Sequence, residues 1–225
     1  MLRALSELKG YQIEATDGVI GHITGCYFDD DTWTVTGLVV NTGGWLARRE
    51  VFLSSDLLGS LHWQTATLAA RLTRREVEEF SSLSLDEDQQ PHLRSSREVL
   101  GYHLQAVDDV LGHVDDFILD TERWVIRYVA VDTSSWWFGG HALIAPRWLG
   151  AVRLREPILE LRLTRDALKN VPRWMPGTPI TPEYEARLIE YDRLREVWSK
   201  SPQSTEAALA PRPLHRSPVE APRRL

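Results

Sequence analysis

The sequence predicts a mainly β protein made of two similar small domains in tandem, followed by a helix and a disordered tail. The first observation is an internal repeat: Gly10-Tyr11 returns 91 positions later as Gly101-Tyr102, and the match continues without a gap to Arg71–Arg74 and Arg162–Arg165. The second is an alternation of apolar and polar residues between turn signals, as in half-buried strands. A duplicated unit of about 80 residues is a small folded module used twice.

Five segments follow from the repeat and from changes in composition. The residues between the domains are polar and end in Pro91, which is typical of a linker. Beyond Ser199 the chain is rich in Ser, Pro, Ala and Arg, a composition that predicts disorder. The expected boundaries are 1–80 for the first domain, 81–92 for the linker, 93–171 for the second domain, 172–198 for a C-terminal extension with an amphipathic helix, and 199–225 for the tail.

The first domain is expected to consist of short strands joined by tight turns. Strands are expected over 11–15, 19–28, 33–41 and 50–53, with further short strands within 61–72. Asp17-Gly18 lies between the first two and is a hairpin signal, because this pair tolerates the positive φ of a primed turn. Thr73 and Glu76 fit a capping box, so a short helix over 74–80 should close the domain.

The second domain repeats this plan, and a longer helix follows it. Asp108-Asp109 replaces the Asp-Gly of the hairpin, and Asp is one of the few other residues tolerated there. Thr164 stands at a helix N-cap, although Ala167 breaks the capping box. Thr181-Pro182 predicts an N-cap with Pro at the first helical position. The helix after it carries an apolar stripe at helical spacing, formed by Tyr184, Leu188, Tyr191, Leu194 and Trp198.

Charge, cysteine content and hydropathy limit the class of protein. The formal net charge of −6 argues against a nucleic-acid partner, which needs a basic face to displace counterions from phosphate. The single cysteine, Cys26, cannot form an internal disulfide, so we expect a cytoplasmic protein. No stretch approaches the ~20 apolar residues that cross a bilayer, and the N-terminus lacks a signal-peptide core. Peripheral docking on a membrane complex stays open.

Both domains resemble the PRC-barrel family. In the first domain the resemblance rests on 10–21, 29–35 and 39–45. In the second it rests on Gly101-Tyr102, 112–117, 124–128, 131–133 and Trp136-Trp137. The tandem form followed by Thr181-Pro182-Glu183-Tyr184 is similar to bacterial members of this family, and the resemblance covers about residues 3 to 198.

The resemblance implies two PRC-type β-barrels of about six strands each, each followed by a short helix. In the cytoplasmic domain of the photosynthetic reaction-centre H subunit, and in a ribosome-maturation factor, such a barrel binds proteins and has no catalytic residues. This sequence shows neither the membrane helix of the first nor the additional domain of the second. We therefore expect a non-enzymatic interaction or assembly module with a protein partner and no cofactor.

Two alternatives stay open. The first is an accessory of a membrane electron-transfer complex that resembles the H subunit. The second is a small metal-dependent enzyme that uses His22, His113 and nearby carboxylates. The two histidines are equivalent in the repeat, but zinc ligands normally come in sets of three or four. We therefore favour the interpretation that both histidines are polar residues of the strands and bind no metal.

The acidic turns and the cysteine have simpler explanations than a site. The carboxylates in question are Asp29, Asp30, Asp31, Asp115, Asp116, Asp120 and Glu122. They lack the alternating ligands and closing Glu of a calcium loop, so solvated turns are favoured. Cys26 corresponds to Phe117 in the repeat, which indicates a buried structural thiol.

The candidate interaction surface is aromatic. Trp45 corresponds to Trp136, and Trp137 and Phe138 follow directly, before Gly139-Gly140. Large aromatic side chains in a glycine-containing loop serve as interface anchors, or they plug one end of a barrel. We favour the plug for Trp45 and Trp136, and both roles remain open for Trp137 and Phe138.

Trp137→Ser distinguishes the two roles. An interface anchor contributes to binding without supporting the fold, so the variant should lose partner capture in a pull-down while its melting temperature stays close to wild type. Unfolding of the second domain in this variant would instead identify Trp137 as a plug.

Overall fold

The computed structural model describes residues 1–44, 46, 50–80, 90–134 and 140–199, and it shows a mainly β chain with two multi-stranded sheets. The four aromatic residues of the candidate surface lie outside the described residues: Trp45, Trp136, Trp137 and Phe138. The same holds for 81–89 of the expected linker and for the chain from 200 onward. What the sequence predicts for these segments stays a prediction.

The first repeat is built of short strands and turns in the expected order. Its elements are β1 (Leu2–Ala4), α1 (Leu5–Leu8), β2 (Gln12–Ala15), β3 (Gly18–Asp29), β4 (Val35–Asn41), β5 (Glu50–Ser54), a 3-10 turn (Ser55–Leu57), β6 (Leu58–His62), β7 (Thr67–Ala70) and α2 (Arg74–Phe80). Trp33, which the sequence placed at the start of a strand, lies in the turn before β4. Its φ of 58° is left-handed, so the strand cannot yet begin there.

The second repeat has the same elements, each at the equivalent position; we call two residues equivalent when they lie 91 positions apart. They are β8 (Leu93–Ser95), α3 (Ser96–Val99), β9 (His103–Gln105), β10 (Val110–Asp120), β11 (Val125–Asp132), β12 (His141–Ile144), a 3-10 turn (Pro146–Trp148), β13 (Leu149–Arg153), β14 (Ile158–Leu161) and α4 (Arg165–Lys169). A short strand, β15 (Arg173–Trp174), and a long helix, α5 (Pro182–Ser199), follow.

The two sheets have open strand paths, so the expectation of closed six-stranded barrels is not met. The first path runs β5-β4-β3-β2-β7-β6, and the second runs β13-β14-β9-β10-β11-β12 and ends on β15. In each sheet one neighbouring pair is parallel, β2 with β7 and β9 with β14, and the other pairs are antiparallel. Each sheet also includes a strand from the other repeat, and this addition is the main feature that the sequence did not predict.

The repeats exchange their first strand. β1 of the first repeat pairs antiparallel with β10 of the second, with Leu2 opposite Asp120. β8 of the second repeat pairs in the same way with β3 of the first, with Leu93 opposite the equivalent Asp29. The hydrophobic core runs without interruption through both repeats. The two repeats therefore pack on each other, and their contact includes backbone pairing.

Several local predictions are confirmed with small shifts. The first hairpin turns at Thr16-Asp17, because Ala15 pairs with Gly18, and Gly18 carries the positive φ as the first residue of β3. The capping box holds: the Thr73 N–H donates to Glu76 Oε2 at 2.7 Å, and the Glu76 N–H donates to Thr73 Oγ1 at 3.2 Å. In the second repeat the loop of this hairpin is longer, since β9 ends at Gln105 and β10 begins at Val110.

Helix α5 packs on the second repeat. The Thr181 hydroxyl accepts the Tyr184 N–H at 3.3 Å, which confirms the predicted N-cap. Tyr184 and Leu188 are buried, and the Tyr191 hydroxyl donates to the Ala167 carbonyl at 2.9 Å. Leu194 is 43% exposed, so the predicted apolar stripe does not extend to it.

Gly21→Ala should destabilise the fold strongly. A Cβ at Gly21 would lie 2.0 Å from the Asn41 carbonyl oxygen on the paired strand, so β3 and β4 would have to separate. We expect a loss of about 3 kcal/mol in the free energy of unfolding, measured by urea denaturation. The control is Gly140→Ala, where a Cβ meets nothing within 4 Å; equal effects of the two changes would contradict the close approach.

Candidate functional site: the junction of the two repeats

The two repeats meet through symmetric backbone hydrogen bonds, and we call this contact region the junction. The Val35 N–H donates to the Trp124 carbonyl at 2.7 Å, and the equivalent Ile126 N–H donates to the Trp33 carbonyl at 2.8 Å. Trp124 has a left-handed φ of 53°, close to the 58° of Trp33. This shared, unfavoured backbone turns both carbonyls toward the other repeat. The repeated tryptophans thus form part of the junction through their backbone.

Aromatic rings fill the centre of the junction. The Phe28 ring stacks on Trp33 with centroids 5.4 Å apart and contacts Phe117 at 5.3 Å. Phe28 and Phe117 are fully buried and belong to different repeats. The predicted burial of Cys26 is confirmed, and that burial raises the pKa of its thiol to about 12. The centre of the junction is therefore closely packed and apolar.

The polar contacts of the junction differ between its two halves. Asp116, which is buried, accepts the backbone N–H of Ser6 from the other repeat at 3.3 Å. The equivalent of Asp116 is Gly25, where a Cβ would lie 3.1 Å from Cγ of Arg97. Arg97 instead reaches Glu50 with two hydrogen bonds, of 2.7 and 2.9 Å. The missing side chain at Gly25 makes room for this arginine, so the two halves are complementary but not identical.

Two grooves flank the junction, and most of their lining positions are equivalent. The Arg162 groove has a volume of about 660 Å³ and is lined by Asp30, Asp31, Thr32, Trp33, His92, Arg94, Pro146, Arg147, Leu149, Gly150, Ala151, Val152 and Arg162. The Arg71 groove has a volume of about 690 Å³ and is lined by Met1, Ser55, Asp56, Leu58, Gly59, Ser60, Leu61, Trp63, Arg71, Thr121, Glu122 and Trp124. Each groove contains residues of both repeats, so neither exists without the junction.

The charges of the two grooves differ. In the Arg162 groove, Asp30 holds Arg94 at 2.7 Å and His92 at 2.9 Å. Arg147 in the same groove pairs with Asp192 of α5 at 2.7 Å. The equivalent of Arg147 in the Arg71 groove is Asp56. The described lining residues therefore make the Arg162 groove the more basic one.

The structure does not bring His22 and His113 together. His22 is exposed on β3, in register with Gln12 and Asn41. His113 lies on β10 in the other sheet, with its Nε2 atom 3.9 Å from Asp132 Oδ2. Within the part of the chain that the structure describes, no group of three or more His, Cys, Asp or Glu side chains is placed to hold a metal ion.

The carboxylates of the acidic turns accept hydrogen bonds from nearby backbone N–H groups. Asp29 Oδ1 accepts the N–H groups of Asp31 at 3.0 Å and Thr32 at 2.7 Å. Partial burial raises the pKa of Asp29, but these hydrogen bonds outweigh it and hold the pKa below its ordinary value. Asp120 accepts the Glu122 N–H at 3.1 Å in the equivalent turn, and Asp115 pairs with His141 at 3.2 Å. These carboxylates are bound within their own turns and sheets.

Sequence reasoning missed the grooves and the strand exchange, although one signal was present. Leu2-Arg3 and Leu93-Arg94 lie at the same spacing as the rest of the repeat. This match marks the two segments as equivalent, but it does not say which sheet each one joins. Arg71 and Arg162 were also visible as matched residues, without any indication that both open into grooves.

The comparisons with known proteins do not assign a family. No protein-family model matches the chain, and no curated protein matches it. Among the helices of the described residues, none has the length and apolar character needed to cross a bilayer. The junction and its grooves are therefore the features from which a function can be inferred.

Asp116→Asn should change how stability depends on pH. Burial raises the pKa of Asp116 in the folded chain, against the lowering effects of hydrogen bonds from Ser6 and Phe117 and of the Lys9 charge. A raised folded-state pKa contributes stability that is present at acid pH and lost as the pH rises through that pKa. Stability should therefore rise more from about pH 4 to about pH 7 in the variant than in the wild type. Urea denaturation at both pH values measures this.

The matched control for that prediction is Asp31→Asn, at an exposed aspartate outside the centre of the junction. It removes one carboxylate charge at the surface, and so separates the effect of losing an aspartate charge from the effect of the buried position of Asp116. An identical pH trend in wild type and Asp116→Asn would show that the Asp116 carboxylate does not titrate differently on folding.

Proposed function

We propose that the chain is a tandem PRC-barrel-type protein that acts as a non-enzymatic interaction or assembly module, with the junction grooves as its docking surface. The resemblance of both domains to that family supports this proposal, as does the β-rich structure of the two equivalent repeats. Protein binding is the role that the resemblance implies, and fold alone does not define it further.

The observation that carries the proposal is the pair of grooves. Both are formed jointly by the two repeats and have similar volumes, about 660 and 690 Å³. A junction held by exchanged strands and a continuous core fixes the distance between them, because such packing does not deform continuously. A partner with two matching segments would bind both at once, and the second contact would then be intramolecular.

Residues shared by the repeats serve this arrangement. Asp17 and Asp108 each accept, at 2.8 Å, the first backbone N–H of the helix that closes their own repeat. Gly21 and Gly112 each permit close approach of the paired strand. The shared residues thus preserve backbone geometry and the junction, which is what an interaction scaffold requires.

A photo-cross-linking amino acid placed in each groove tests the proposal. Ala151 lies in the Arg162 groove, and its equivalent, Ser60, lies in the Arg71 groove; both are exposed. In cells of the source organism, at least one of these positions should cross-link a defined protein. The control position is Val107, which is 71% exposed and lies outside both grooves. Equal labelling from Val107, or none from either groove, would argue against the proposed surface.

A further inference from the structure

Arg71 and Arg162 occupy equivalent positions in the two repeats. Their backbones are held by equivalent hydrogen bonds, but their side chains have no equivalent contact within the protein. Each backbone is fixed in the same way: the N–H of Arg71 donates to the Leu57 carbonyl and that of Arg162 to the Trp148 carbonyl, both at 2.7 Å. Both side chains are exposed and line their grooves. Neither guanidinium forms a hydrogen bond or a close ion pair with any residue that the structure describes.

Glu160 is the carboxylate whose pKa responds to the charge of Arg162, and it is already bound to another arginine. Glu160 accepts a hydrogen bond from Arg153 at 2.7 Å. This hydrogen bond, and to a smaller extent the charge of Arg162, lower the pKa of Glu160. Arg162 therefore keeps its full set of donors available, and an arginine with free donors binds a planar carboxylate through two parallel hydrogen bonds.

The charges around the two arginines differ. In the Arg162 groove, Arg94 pairs with Asp30 and Arg147 pairs with Asp192, which leaves Arg162 available to a ligand. In the Arg71 groove, Asp56 takes the place of Arg147, and Glu122 pairs with the amino terminus of Met1 at 3.1 Å. The Arg162 groove therefore favours an acidic ligand more than the Arg71 groove does, because it has one acidic side chain fewer at this equivalent pair and one basic side chain more.

We propose that the Arg162 groove binds an acidic, extended segment of a protein partner, with a glutamate or aspartate of that segment paired to Arg162. This inference rests on the proposed function and adds the chemistry of the partner. An extended peptide segment fits better than a phosphate ion, because the groove volume of about 660 Å³ exceeds what a single small anion fills.

Binding of a labelled peptide to the full chain tests the inference. The probe is a capped, dye-labelled hexapeptide of alternating alanine and glutamate, followed by fluorescence anisotropy. We expect saturable binding that Arg162→Gln weakens by about tenfold or more. Arg71→Gln, the equivalent change in the other groove, should leave the affinity unchanged. Arg162→Lys should restore only part of the affinity, because lysine cannot form the two parallel hydrogen bonds.

Other outcomes would overturn the inference. A peptide with glutamine in place of glutamate that binds equally well would exclude charge recognition. Equal losses in Arg162→Gln and Arg71→Gln would exclude the assignment to one groove. Displacement by inorganic phosphate at lower concentration than by unlabelled peptide would identify a free-anion site. Thermal unfolding of both variants should match the wild type, since neither arginine supports the fold.

The inference and the proposed function can fail separately. If the cross-link from Ala151 forms in cells and Arg162→Gln does not affect it, the interaction module stands and the acidic partner is wrong. If the peptide binds through Arg162 and no protein cross-links from either groove, the chemistry of the groove stands and the proposed function is wrong.

Discussion

The structure depends on the exchange of the first strand between the repeats. β3 and β10 are long, and the short strands β2 and β9 pair mainly with the first part of each. The remaining part of that edge, at 27–29 and 118–120, pairs with the strand from the other repeat. Without this strand, each sheet would expose unpaired backbone groups next to its hydrophobic core, which is unfavourable and prone to aggregation. Each repeat thus completes the sheet of the other.

Exchange between equivalent units creates a packing problem at their centre, and the sequence differences solve it. Phe28 and Phe117 are in contact across the junction, and their equivalents are Leu119 and Cys26. A phenylalanine at all four positions would overpack the centre, and smaller residues throughout would leave a cavity. One large and one smaller side chain from each repeat fill the space. Gly25 and Asp116 differ for the same reason, because the exchanged segments bring Arg97 to one and Ser6 to the other.

Local structure was largely predictable from the sequence, and the exchange was not. The capping box at Thr73, the N-cap at Thr181 and the limits of α2 depend on residues close in sequence, and all three are confirmed. The residue pattern of β1 would be the same whether this strand joined the sheet of its own repeat or the sheet of the other repeat. Only tertiary packing therefore decides which sheet it joins. The closed barrels were expected from the resemblance to the PRC-barrel family, because alternation identifies strands but not the closure of their path. The grooves arise from the exchange, so the sequence did not predict them either.

A duplicated chain has one property that a symmetric dimer lacks: its two equivalent surfaces can change independently. The grooves share their glycine, tryptophan and arginine positions because these follow from the common architecture. They differ where the architecture leaves the side chain free, as at Asp56 and Arg147. A homodimer would carry the same charge in both grooves and would bind the same segment twice. In the proposed interaction module, divergence of the two halves would give one molecule two docking grooves of similar shape and different charge, which is sufficient to orient an asymmetric partner.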